Sequence, residues 1–113
     1  MPASLSTHVL DLTRGKPAAG MLVELHRLSP GPSALVTRLR TNADGRSDGA
    51  IVSGVAASGV YELRFHVADY FKSAQATAFL DIVPIRFGLD GDGGHHHVPL
   101  LVSPFGYSTY RGS

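Results

Sequence analysis

Period-two alternation of apolar and polar side chains most narrows what this chain can fold into. In "VYELRFHV" (60–67), Tyr61, Leu63, Phe65 and Val67 fall on one face, and Val60, Glu62, Arg64 and His66 on the other. That is the pattern of a strand with one buried face. "MLVELHRL" (21–28) repeats it, with Met21, Val23 and Leu25 opposite Glu24 and His26. Further strands are predicted over 5–12, 34–41, 81–87, 96–103 and 106–111, and a short one over 49–52. Turn-forming clusters punctuate them: "GKPAAG" (15–20), "SPGPS" (29–33), "NADGR" (42–46) and "GDGG" (91–94). In "NADG" an Asn opens and a Gly closes, which suits a type I hairpin turn. Only "DYFKSAQA" reads as helix, with Asp69 as its N-cap. Many short strands, regular turns and one scrap of helix predict an all-β fold, an antiparallel β-sandwich.

The totals bound the function. A chain of 113 residues fits one domain, 1–113, with a real core. With 43% apolar and 17% charged residues it is not a disordered tail. A formal charge of +1 supplies no electrostatic reason to expect nucleic acid or an anionic membrane as partner. The absence of cysteine excludes a disulfide framework and a thiolate metal site. No apolar run reaches the length that spans a bilayer, about 18 residues or more. "MPASLSTHVL" lacks the basic-then-apolar order of a secretory signal, and "RGS" is not the Ser-Lys-Leu peroxisomal address, so a cytoplasmic protein is expected.

Six histidines in a cysteine-free chain are the compositional oddity, and three are consecutive: His95, His96 and His97. On a strand His95 and His97 share a face and His96 takes the other. Such a pair fits either of two roles. Imidazole is a common zinc ligand, but neither a cysteine nor an obvious third ligand accompanies the pair, and strand histidines after a loop are also ordinary surface groups. In "LSTHVLDL", Leu5, Thr7 and Val9 oppose Ser6, His8 and Leu10. His8 alone reads as a strand histidine, and Arg46 alone as a solvated turn residue. Nothing local says that His8, Arg46 and His97 meet. There is no GxSxG elbow, no phosphate loop and no HExxH helix. The segment "FGYSTYRGS" (105–113) is dense in hydrogen-bonding side chains and follows an apolar run.

Three ordered segments, "LSTHVLD…GKPA" (5–18), "RTNADGR" (40–46) and "HHHVPLLVSPFGYSTYRGS" (95–113), resemble the 5-hydroxyisourate hydrolase family, the enzymatic relatives of transthyretin. "GVYELRFHVADYF" and "FLDIVPIRFG" are similar to the family as well, so the resemblance runs through nearly the whole chain. One departure is His96, where the family commonly has tyrosine between the two histidines. The resemblance implies a transthyretin-like sandwich of two four-stranded sheets with one short helix. It also implies a homotetramer, a dimer of dimers, with active sites in a channel at the dimer–dimer interface. It implies hydrolysis of 5-hydroxyisourate in urate degradation, with no cofactor and no metal. By motif match the catalytic positions are His8, Arg46 and His97, and Tyr110 and Ser113 join them in binding substrate. On this reading "YRGS" is polar because it lines the channel.

Overall fold

The computed structural model describes residues 4–51, 58–73, 78–91 and 93–112. In chain order the elements are β1 (Ser4–Asp11), β2 (Lys16–Pro17), β3 (Leu22–Ser29), β4 (Ala34–Arg40) and β5 (Gly59–His66). Then come α1 (Val67–Ser73), β6 (Ile82–Leu89), β7 (His95–Ser103) and β8 (Gly106–Thr109). They form two four-stranded sheets, ordered β2-β1-β7-β8 and β4-β3-β5-β6. The inward set is the one that alternation predicts. Leu5 and Val9 of β1 and Leu100 and Val102 of β7 meet Val23, Leu25, Leu63 and Phe65 across the core, with Phe71 of α1 filling one end.

The pairing departs from a purely antiparallel sandwich at one place. β1 and β7 run parallel, in the register Ser4↔His95, Ser6↔His97 and His8↔Pro99. Alternation reports which face is buried and not which way a strand runs. Parallel neighbours need a long crossover, and here the connection passes through the whole second sheet.

Smaller differences are confined to the ends of elements and to short segments. Lys16–Pro17, inside a segment read as turn, pairs with Leu10 and Asp11 as the two-residue β2. Residues 49–51 form no strand, though the Ile51 amide donates to the Leu5 carbonyl at 2.6 Å; residue 52 lies outside the described residues. The last strand ends at Thr109 rather than 111. Asp69 is not the N-cap. The helix begins at Val67, and its leading amides, those of Val67 and Ala68, donate to the Asp81 carbonyl at 3.1 and 3.0 Å, a tertiary cap that the local sequence does not encode. Residues 74–76 of the predicted helix lie outside the described residues.

The two outer faces carry different chemistry. On β3, β5 and β6, Glu62 accepts from Arg64 at 2.7 Å and from Arg86 at 3.2 Å, while Glu24 accepts from His66 at 3.2 Å. Arg64 first, with Arg86 beside it, holds the Glu62 carboxyl below the usual carboxylate range. On β1 and β7 the outer face carries hydroxyls and imidazoles instead.

Asp11 anchors the strand that bears them. It is fully buried; one carboxylate oxygen accepts the amides of Thr13 and Arg14 at 2.9 and 3.2 Å, and the other accepts the Tyr70 hydroxyl at 2.8 Å. Burial, and then this carboxylate, push the Tyr70 phenol up. A hydrogen bond to a charged group is worth about 1.5–3 kcal/mol. Tyr70→Phe is expected to lower stability by about that amount, read as a lower urea midpoint with an unchanged slope.

Candidate active site

The parallel register assembles the site. On the outer face of β1 stand Ser4, Ser6 and His8; on the outer face of β7 stand His95, His97 and Pro99. Ser6 is directly opposite His97, and His8 lies one outward position further along β1.

The open edge of β1 is covered by the segment that follows β4. Asn42 organises it. Its side-chain oxygen accepts the amides of Asp44 and Arg46 at 2.9 and 3.1 Å, and its carbonyl accepts the Gly45 amide at 2.9 Å. The predicted turn therefore forms, but it is not a hairpin within one sheet. It carries the chain from β4 to β1 of the other sheet, where the Val9 amide donates to the Gly45 carbonyl at 2.7 Å and Arg46 bridges His8. Gly45 has φ +74°, and a Cβ there would sit 2.5 Å from the Val9 carbonyl oxygen. Only glycine lets this backbone lie so close to β1 in that conformation.

The far side is built the same way. The Gly112 amide donates to the His97 carbonyl at 2.7 Å, and a Cβ on Gly112 would sit 2.5 Å from Cδ2 of the His97 ring. Across the face the order is thus Arg46, His8 on β1, His97 on β7, and Gly112. Three of the five site residues read from sequence come together within one chain. Tyr110 does not join them here: it is exposed and lines a separate cleft of about 290 Å³ with Arg86, Phe87 and His96. Ser113 lies outside the described residues.

Both imidazoles are held neutral. Burial first, and then the Arg46 charge, lower the pKa of His8 below its ordinary value, while a hydrogen bond to the Asp44 carbonyl works the other way. Burial first, then Arg46, then His8 and His95, lower that of His97. The His97 Nδ1 is engaged by Ser6 Oγ at 2.8 Å, which leaves Nε2 to act. A neutral imidazole beside a fixed cation can take a proton from water while the guanidinium faces developing negative charge. A cavity of about 390 Å³ opens beside the cluster, lined by Ser6, Thr7, Arg46, Ser47, Gly49, Ala50 and His95. A larger cleft, about 570 Å³, lies elsewhere against Arg14, Arg40, Asp69 and Lys72 and collects none of these imidazoles.

Among the described residues no group of three or more His, Cys, Asp or Glu is placed to hold a metal ion, and His95 and His97 are engaged by serine hydroxyls. His96 points to the opposite face, as alternation requires; it is buried, with Nδ1 3.1 Å from the Gly94 carbonyl. Sequence reasoning missed Ser4, Ser6 and Gly112 and gave His95 no role in catalysis or binding. The parity of β1 puts the serines on the His8 face, but the register that sets them against β7 is not a local signal.

Residues 5–112 match the HIUase/Transthyretin family. A 5-hydroxyisourate hydrolase of Halalkalibacterium halodurans is 53% identical, with all of both chains covered. Among solved structures, Klebsiella pneumoniae 5-hydroxyisourate hydrolase is similar with a TM-score of 0.86 and 35% identity, over 98% of this chain and 94% of that one. Sea bream transthyretin in complex with thyroxine is similar with a TM-score of 0.89 and 25% identity, over 96% and 94%.

The Coulombic coupling gives a direct test. Arg46→Met is expected to raise the titration midpoints of both His8 and His97, and Arg46→Lys to leave them near the parent values, followed by NMR of the ring protons. Midpoints that ignore the change in charge would separate Arg46 from the pair.

Proposed function

The chain belongs to the HIUase/transthyretin family, and on that footing we propose that it is a hydrolase converting 5-hydroxyisourate to 2-oxo-4-hydroxy-4-carboxy-5-ureidoimidazoline in urate breakdown. The observation that carries the reading is the placement of His8 and His97 about one guanidinium: Arg46 pairs with His8 through the backbone, couples electrostatically to both imidazoles and lines the cavity. His97 Nε2 takes a proton from water as the water oxygen attacks the ring amide carbon. The carbonyl electron pair moves onto oxygen, where Arg46 stabilises the negative charge. As the intermediate collapses, the carbon–nitrogen bond breaks and the ring nitrogen leaves with a proton from the imidazole pair. His8, oriented by the Asp44 carbonyl, holds the substrate and assists that transfer. No metal takes part.

Tyr110 and Ser113 complete substrate binding from a neighbouring subunit of a homotetramer. The exposed Phe105, Tyr107 and Tyr110 around β8 support such an assembly, since large aromatic side chains left in water favour a protein partner. The whole of residues 1–113 works as a single hydrolase domain. No helix among the described residues is long and apolar enough to cross a membrane, and the proposed location is the cytoplasm. A carrier of apolar ligands is disfavoured by the same face: an apolar molecule there would strip water from the Arg46 charge and from the free ring nitrogen of His97 and offer them no hydrogen bond.

His8→Asn and His97→Asn are each expected to lower kcat by about 10²–10⁴ with fold and assembly intact. The assay times the loss of ultraviolet absorbance of the intermediate after urate is oxidised in situ. Near-normal turnover in either variant removes that residue from the pair. Dialysis against a chelator is expected to leave turnover unchanged, and a loss that zinc restores would overturn the metal-free route.

The pH dependence has a fixed sign. Lowered pKa values in the folded state mean that kcat/KM holds down to about 6.5, the ordinary imidazole value, and falls only below it. Stability moves in the same direction. Below about 6.5 the unfolded chain binds these protons first, so stability drops as pH falls until the folded pKa is reached.

A further inference from the structure

Four side chains on the outer face of β1 and β7 form a continuous run of hydrogen bonds that the reaction above does not use. Ser4 Oγ is 2.6 Å from His95 Nδ1, and Ser6 Oγ is 2.8 Å from His95 Nε2 and 2.8 Å from His97 Nδ1. The parallel register creates the run, since Ser4 faces His95 and Ser6 faces His97. A hydroxyl has one proton to give, and a neutral imidazole donates from one nitrogen and accepts at the other. Two polarities run unbroken from one end to the other, with each hydroxyl between rings accepting from one and donating to the next. In the first, His97 Nδ1–H donates to Ser6, Ser6 donates to His95 Nε2, and His95 Nδ1–H donates to Ser4; His97 Nε2 carries a lone pair. In the second every bond is reversed, and His97 Nε2 carries the proton.

We infer that Ser6, His95 and Ser4 form a proton relay between His97 and solvent, in which Ser6 and His95 are positioning residues that set the His97 tautomer. The inference rests on the hydrolase reading above. His97 is half-buried, whereas His95 at the outer end is exposed, so the run leads from the site to water.

The steps balance. When Nε2 takes a proton from the attacking water, the Nδ1 proton passes to Ser6, that of Ser6 to His95 Nε2, that of His95 Nδ1 to Ser4, and that of Ser4 to solvent. The run is left in its second polarity. When the ring nitrogen leaves with the Nε2 proton, each transfer runs backwards, Ser4 takes a proton from solvent, and the first polarity returns. The carboxyl group of the product ionises into solvent on its own account. The physical gain is that no imidazolium has to persist beside Arg46, a second cation in the same site.

Three measurements test this. His95→Asn keeps a polar side chain but cannot pass a proton between two ring nitrogens. It is expected to lower kcat about 10-fold, less than the 10²–10⁴ of losing the base itself, with KM little changed. Added free imidazole should restore kcat in that variant and leave the wild type unaffected. Ser6→Ala should behave alike, and Ser6→Thr, which keeps the hydroxyl, should recover turnover. The ¹⁵N ring shifts of His97 should move towards a mixed tautomer in Ser6→Ala. Wild-type kcat in His95→Asn, or a low kcat that imidazole does not raise, overturns the relay. Unchanged His97 shifts in Ser6→Ala overturn it without reference to any substrate. A wild-type protein that does not hasten the loss of 5-hydroxyisourate overturns the substrate reading, and with it the relay as a catalytic device.

Discussion

Everything chemical in this molecule depends on the parallel pairing of β1 with β7. A one-residue slip would send every outward side chain of one strand into the core, and the register is fixed because Leu5, Thr7, Val9 and Asp11 are buried on the other face. The same ladder that fills the core thereby sets Ser6 against His97 and His8 against Pro99. The hydroxyl of Thr7 reinforces it by donating to the Val98 carbonyl at 2.6 Å. Packing energy, in other words, does the positioning, and the site groups themselves contribute little to holding the strands.

Given that register, electrostatics decides what the groups can do. Burial first, and then the Arg46 guanidinium, disfavours protonation of both imidazoles, and His8 adds to the effect at His97. The charged networks on the opposite sheet show the contrast. There, Glu24 hydrogen-bonds His66 and His26, Glu62 hydrogen-bonds Arg64 and Arg86, and these partners hold both carboxyls below their ordinary range. On the first face the Arg46 charge outweighs that of the Asp44 carboxylate at His8, so the cluster favours negative charge arriving from outside. Of the six histidines, two face the carboxylates of the second sheet, one faces the core, and three lie on the outer face of β1 and β7.

Much of the fold was legible because a half-buried strand writes its period into the sequence. "VYELRFHV" and "MLVELHRL" fold as alternation predicts, and the resemblance to relatives of transthyretin supplied the two-sheet arrangement. Strand direction and the Asp81 cap of α1 were not legible, since each is fixed by contacts between separate segments, and the β2 pairing is too short to show any alternation. The site divides similarly. His8, Arg46 and His97 were individually unremarkable and became candidates through motif likeness alone. Ser6 and Gly112 escaped because their importance lies in what stands across from them. Glycine at 112 matters for the atoms it lacks, and sequence periodicity has no way to register an absent side chain.

The pairing of Ser4–Asp11 with His95–Ser103 also has a consequence in time. β1 must wait for β7 before it finds its neighbour, and contacts so distant along a chain close slowly. A chain lacking β7 holds His8 and Arg46 but not His97. The cluster therefore cannot form piecemeal during synthesis; it exists only once β1 and β7 have been brought together.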